Sequence, residues 1–277
     1  MVHSEKQKAP RIDVNTPSAA RMYDWLLGGI DNYLPDREAC AELLEIAPSS
    51  QALARSNRAF LRRVVAVLVE QYGVEQIIDH GSGLPTRDNV HQVAQRINKN
   101  CRVVYVDNDP LVLAHGRTSL EENSNTAVIQ ADMRDTGVIF DHEETRRLIR
   151  PGHRTAALFV SVLHCLPDTD DDRSPAALIR RVAGVLRELG PGNFLVMCQL
   201  ISDNPDVRRK VTQLMARKTG DKWGRVRERD EVEAYFRGLQ VLEPGLVDVV
   251  DWRPDVAPPP AALRPTDWVE WGGLAQL

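Results

Sequence analysis

The chain is poor in aromatic residues, which make up 5% of it, and poor in cysteine, of which it has 4. Cys40, Cys101, Cys165 and Cys198 lie far apart, form no CxxC pair, and stand beside no histidines at metal-ligand spacing. Neither a zinc site nor a redox dithiol is therefore expected, and the four read as reduced, mostly buried thiols. No apolar run approaches the roughly 20 residues of a membrane span, and Met1 to Ile12 is too polar for a secretory leader. A soluble, cytoplasmic protein is the expectation. Charge of one sign is lacking as well: 35 Lys and Arg stand against 39 Asp and Glu, a formal net charge of −4. That balance offers no general attraction to phosphate backbones, so a small molecule is a better expected partner than a nucleic acid. There is no internal repeat, and 277 residues suit one large domain with an accessory segment better than two equal domains.

What is present falls into three parts. Residues 1–15 read as a polar lead without fixed structure. Residues 16–73 read as a helical cap: Pro17 to Gly28 with Met22, Trp25 and Leu26 on one face, ended by Gly28-Gly29; Asn32 to Glu45; and Asn57 to Gln71 with Phe60, Leu61, Val64, Val65, Leu68 and Val69 aligned. Residues 74–277 alternate short apolar runs with amphipathic segments, the signature of a parallel sheet with crossover helices. Strands are expected at Ile77–Asp79, Arg102–Val106, Ala127–Gln130, Thr155–Leu163, Asn193–Cys198, Leu239–Glu243 and Asp267–Gly272. Asp109-Pro110 and Ser174-Pro175 each pair a capping side chain with proline at the first helical position. The fold class is thus α/β, a doubly wound, seven-stranded and mostly parallel sheet, with one of the last two strands antiparallel because no crossover helix joins them. A charged segment at about 202–236 reads as helical and exposed. Its basic stretch from Arg208 to Arg229 has Trp223 as its single aromatic, and a solvated helix face balanced by Asp221, Glu228 and Asp230 accounts for it better than an acidic-substrate or RNA surface.

The run Ile77-Ile78-Asp79-His80-Gly81-Ser82-Gly83 is an apolar strand ending in a carboxylate and turning through two glycines toward a helix. Glycine is needed where a ligand comes too close for a Cβ, although an ordinary tight turn has the same look. Asp107 ends the next apolar run, where nucleoside sites keep an acid for ribose hydroxyls, and Asp132 follows the third. Three acids at the carboxyl ends of successive parallel strands mark the crevice where open α/β sheets bind ligands. The third small residue of the NAD fingerprint is missing, since Thr86 stands there after Pro85, which disfavours hydride chemistry. Asp79, before the first glycine, suits a cationic ligand instead.

These features resemble the class I S-adenosylmethionine-dependent methyltransferases. More closely, Ala20-Arg21-Met22-Tyr23-Asp24-Trp25-Leu26-Leu27-Gly28-Gly29, Asp31-Asn32-Tyr33, Asp79-His80-Gly81-Ser82-Gly83-Leu84-Pro85-Thr86, Val104-Tyr105-Val106-Asp107-Asn108-Asp109-Pro110 and Leu163-His164 resemble a largely actinobacterial S-adenosyl methyltransferase family, formerly a domain of unknown function. The resemblance implies S-adenosylmethionine as cofactor and a Rossmann-like core. It implies that Gly81 and Gly83 pack on the methionyl part, that Asp107 accepts from the ribose hydroxyls, and that Asp132 and Met133 border the adenine. Asp79, His80, Ser82, Asn108 and Ser161 complete the candidate set around them. Where the class often has a third glycine this chain has Pro85, a departure that leaves the hold on the amino-acid end less defined.

The cap carries charge, amide and phenol, a composition costly to bury without polar partners. Arg21, Tyr23, Asn32 and Tyr33 are accordingly expected to fold over the cleft toward the cofactor, Arg21 toward its carboxylate, with the double glycine as a hinge. His164, read as the end of the fourth strand, is the candidate catalytic residue on the acceptor side; simple packing at the strand end is the alternative. No metal is expected. Methyl transfer to a small molecule is the favoured function, against a non-catalytic sensor of S-adenosylmethionine or S-adenosylhomocysteine. A cleft with room for an acceptor would favour the enzyme, and a closed pocket the sensor.

Overall fold

The computed structural model describes residues 12–169, 171–220, 223–260, 264 and 267–277. Most of the expected polar lead therefore lies outside the described residues. Three helices come first, α1 (Ala19–Leu26), α2 (Leu34–Ile46) and α3 (Ser50–Glu70). The Ser18 side chain accepts the N–H of Arg21 to start α1, and Gly28, at φ +84°, lets the chain reverse after it. A buried ion pair fixes α1 to α2: Arg21 Nε donates to Asp36 Oδ2 at 2.8 Å, and Asp36 also accepts the N–H groups of Ser18 and Tyr33. α3 starts two turns earlier than the expected Asn57, because Ala54 shares with Asn57 and Leu61 the face turned inward.

The core alternates strand and helix: β1 (Gln76–His80), α4 (Val90–Ile97), β2 (Arg102–Asp107), α5 (Pro110–Ser119), β3 (Thr126–Gln130), α6 (Thr136–Asp141), α7 (Glu143–Leu148), β4 (Thr155–Val160), α8 (Pro175–Leu189) and β5 (Phe194–Ile201). Then come α9 (Pro205–Thr219), α10 (Arg229–Glu233), the two-residue strands β6 (Gln240–Val241) and β7 (Val247–Asp248), and β8 (Val269–Gln276). Every residue of β1, β4 and β5 is buried, as expected of strands covered on both faces. The strand order is β3-β2-β1-β4-β5-β8-β6, with β7 paired to β8, so the described residues hold eight strands where seven were expected. β8 runs antiparallel to β5, and the other long pairings are parallel. The order reverses between β1 and β4, opening a crevice at their carboxyl ends. Against one face pack α3 and α4, through Phe60, Val64, Leu68 and Val93; against the other packs α8, through Leu178, Val182 and Leu186. No described helix is long and apolar enough to cross a membrane.

Two further expectations need correcting. The fourth strand ends at Val160 rather than Leu163: Ser161 turns to φ +57°, and Leu163–Cys165 forms a 3-10 turn. The apolar run continues past the strand only because Leu163 stays in the core. α9, in the segment read as exposed, buries Val207, Val211, Leu214, Met215 and Thr219 along one stripe.

Candidate functional site

A cavity of about 550 Å³ opens in that crevice, roofed by the cap. Its polar end is built from strand termini. Gly81 and Gly83 turn at φ +71° and +67°, and the N–H of Gly83 donates to Asp107 Oδ2 at 2.9 Å, tying the first turn to the end of β2. The N–H of Asp109 donates to the other carboxylate oxygen at 2.9 Å. Space is open where a Cβ on Gly83 would stand, whereas one on Gly81 would strike Val162. Burial pushes the Asp79 carboxyl up to about 7, partly opposed by Arg58 and reinforced by Asp107; burial likewise pushes Asp107 up to about 6. Two buried acids at one cleft end favour a ligand that brings positive charge and hydroxyl donors. The Ser82 hydroxyl is buried there with no partner among the described residues.

The other end is apolar. Met22 and Leu26 of α1, Leu43 of α2, Leu53 and Ala54 of α3, Leu200 of β5, Val211 and Met215 of α9, and Trp223 and Trp268 line the cavity and pack as one cluster. His164 joins this wall, tilted against Trp223 with ring centroids 5.5 Å apart. Because β4 stops at Val160 while β5 runs on, the N–H of Leu200 has no strand partner on that edge, and it donates to His164 Nδ1 at 3.4 Å. Burial, then the Arg227 charge, pulls the imidazole down to about 3. The ring is thus neutral with its proton on Nε2. Arg227 is itself buried, donating to the carbonyls of Leu163 and Leu166 and to Asp168, and so holds the turn that carries His164. Behind Ser161, the Glu270 carboxyl is pushed up to about 8 by burial and accepts the serine hydroxyl.

Of the residues singled out from sequence, Asp79, Gly81, Ser82, Gly83, Asp107, Asn108, Met133, Ser161, Arg21, Tyr23 and His164 line this cavity. Four do not. His80 points into the core and stacks on Phe159, because side chains alternate along β1 and Asp79 takes the cleft side. Asp132 is taken up by Arg134 at 2.6 Å and Arg173 at 3.2 Å. Asn32 closes the double-glycine turn, donating to Asp24 and to the carbonyl of Gly29. Tyr33 packs on the cluster of Leu84, Leu111 and Val112 under the Arg21 guanidinium. Arg21 reaches the wall with its nitrogens already engaged, by Asp36 and by the carbonyls of Asp13 and Thr16. Tyr23 bonds the carbonyl of Ala54 and the amide of Asn57. Sequence reasoning passed over Leu53, Met215 and Trp268, and met Trp223 only as the aromatic of a basic stretch. For Met215 the signal was the spacing of Val207, Val211 and Leu214, set among charges.

A family model described as S-adenosyl methyltransferase matches residues 5–277. The chain is similar to the crystal structure of a candidate methyltransferase from Thermobifida fusca YX, at 36% identity over 98% of each chain with a TM-score of 0.85. It is also similar to a DUF574 family protein from Streptomyces avermitilis MA-4680, at 32% identity over 96% of this chain and 99% of that one, with a TM-score of 0.81. The methyltransferase CalH, solved with SAH, shares the fold alone: 15% identity, TM-score 0.51, 92% of this chain and 72% of that one. No curated protein matches the chain.

Proposed function

The chain belongs to the S-adenosyl methyltransferase family, with S-adenosylmethionine as its cofactor, and from that premise we propose that its cavity aligns the cofactor with a small-molecule methyl acceptor. The observation that carries this is the division of one cavity into an acidic, turn-built end and an apolar end. The polar end fits the cofactor: the Ser82 hydroxyl has no partner among the described residues, Gly83 leaves open space, and the raised acids at Asp79 and Asp107 are relieved by a cation. Asp107 would accept from the ribose, Asp79 would face the amino-acid end, and Met133 would border the base.

When bound, the cofactor supplies a methyl group activated on sulfonium, so the C–S bond breaks with its electron pair left on sulfur as the acceptor's lone pair bonds the methyl carbon. The chain's task is then alignment and exclusion of water. The apolar end beside the turn of His164 gives the room that an acceptor needs and a closed sensor pocket would lack. Calorimetry with S-adenosylhomocysteine and with NAD tests the cofactor reading, and transfer of labelled methyl to a metabolite library tests the enzyme. Binding of the first ligand only, with transfer to at least one metabolite, is expected. Tight binding without transfer to any metabolite would turn the reading toward a sensor.

A further inference from the structure

Resting on that methyltransferase reading, we propose that the acceptor is an uncharged, flat and largely apolar molecule, seated between Leu53, Met215, Trp223 and Trp268 and oriented by a lone pair facing His164. The charged side chains of the cavity wall belong to the other end or are already engaged within the protein. Arg58 acts on Asp79, Arg134 pairs with Asp132, Arg21 binds the carbonyl of Asp13, and Asp107 and Asp109 border the glycine turn. A charged acceptor would leave water for a wall whose charged neighbour, Arg227 behind His164, is already paired with Asp168, which is costly. Two indoles and a thioether instead offer broad polarizable faces suited to a ring.

Hydroxyl hydrogens at this end are already spent within the protein: Ser50 donates to Ala47, Thr219 to Met215 and Tyr23 to Ala54, each to a carbonyl. What remains is N–H. With Nδ1 of His164 accepting from Leu200, its Nε2 carries the hydrogen, and among the described residues the buried Trp268 indole N–H has no acceptor. A ligand atom with a lone pair satisfies such donors; a ligand rich in donors leaves them, and itself, unpaired. His164 so placed orients the acceptor and takes no proton from it. A proton on the methylated atom passes to water.

The test uses the full chain saturated with S-adenosylhomocysteine and three probes of equal ring size: naphthol, naphthoate and naphthylmethylammonium. By calorimetry at neutral pH, naphthol should bind saturably and at least about tenfold tighter than either ion. Met215→Glu and Leu53→Glu should each weaken naphthol by about tenfold or more while holding S-adenosylhomocysteine within about twofold of wild type, which also certifies their folding. Leu53, only half buried, is the gentler of the two sites. Equal or tighter binding of an ion, absence of naphthol binding, or unchanged naphthol affinity in a variant that keeps the cofactor product would overturn the proposal. Failure of the wild type to bind S-adenosylhomocysteine is a separate result, which overturns the functional reading and this one with it.

Discussion

The two ends of the cavity are made in opposite ways. The polar end comes from backbone: a turn through Gly81 and Gly83, a carboxylate gripping that turn's N–H, and a proline-started helix beyond. The apolar end comes from side chains delivered by α1, α2, α3, α9, the strand β5 and the irregular segments that carry Trp223 and Trp268. A backbone-built site is fixed by a few contiguous residues and tolerates little change. A side-chain-built one can be reshaped by substitution while the sheet stands, so on the proposed reading recognition of the cofactor and choice of acceptor are structurally separable.

The largest expected effect breaks both ends together. Arg21→Ala leaves Asp36 buried without its cation, and loss of one partner of such a pair costs about 3–5 kcal/mol. Denaturant unfolding should show that loss, and a change below about 1 kcal/mol would mean that the cap is held by apolar packing instead. Next, Asp107→Ala should weaken S-adenosylhomocysteine by about 1.5–3 kcal/mol, through lost charge-assisted hydrogen bonds, without altering naphthol binding. Unchanged cofactor affinity in calorimetry would remove Asp107 from the site.

A pH series sharpens the contrast at the polar end. Asp79 ionises near 3.8 in the unfolded chain and at about 7 in the folded one, because burial disfavours its charge. Between those values the folded protein holds a proton that the unfolded chain has lost, so this group's contribution to stability falls as pH rises and is level above about 7. A cationic ligand favours the ionised form. Affinity for S-adenosylmethionine should therefore climb with pH, by up to about tenfold per unit below 7, and then level off. Asp79→Asn should flatten that slope; an equally steep slope in the variant would assign it to another group, with Asp107 the first alternative. The smallest effect is expected at the apolar end, where His164→Ala should keep S-adenosylhomocysteine within about twofold while lowering stability by about 1–3 kcal/mol, since the N–H of Leu200 loses its acceptor. Loss of cofactor binding in a folded variant would move His164 to the other end.

The same difference governs what could be read from the sequence. The strand, GxG turn and Asp107 are local, and the residues that announce them also build them. His80 shared that run but fell on the wrong side of β1, a matter of strand alternation that the motif does not express. Asp132 stood at a strand end like the other two acids, yet Arg134 and the sequence-distant Arg173 claim it. His164 was placed at a strand end because Val162 and Leu163 extend the apolar run, and only the positive φ of Ser161 ends the strand. The apolar wall was the least legible part. Leu53 sits in a polar-looking opening to α3, Met215 lies within a charged helix, and Trp268 follows a proline-rich excursion, so their convergence is decided by tertiary packing alone.

The placement of the indoles makes the protein its own optical reporter. Trp223 and Trp268 line the cavity, whereas Trp252 is fully buried in a different cluster with its ring edge-on to Phe60 at 5.3 Å. Filling the apolar end should alter emission from the first pair against the background of Trp25, Trp252 and Trp271, which do not line the cavity, so acceptors can be ranked by intrinsic fluorescence before any product is known.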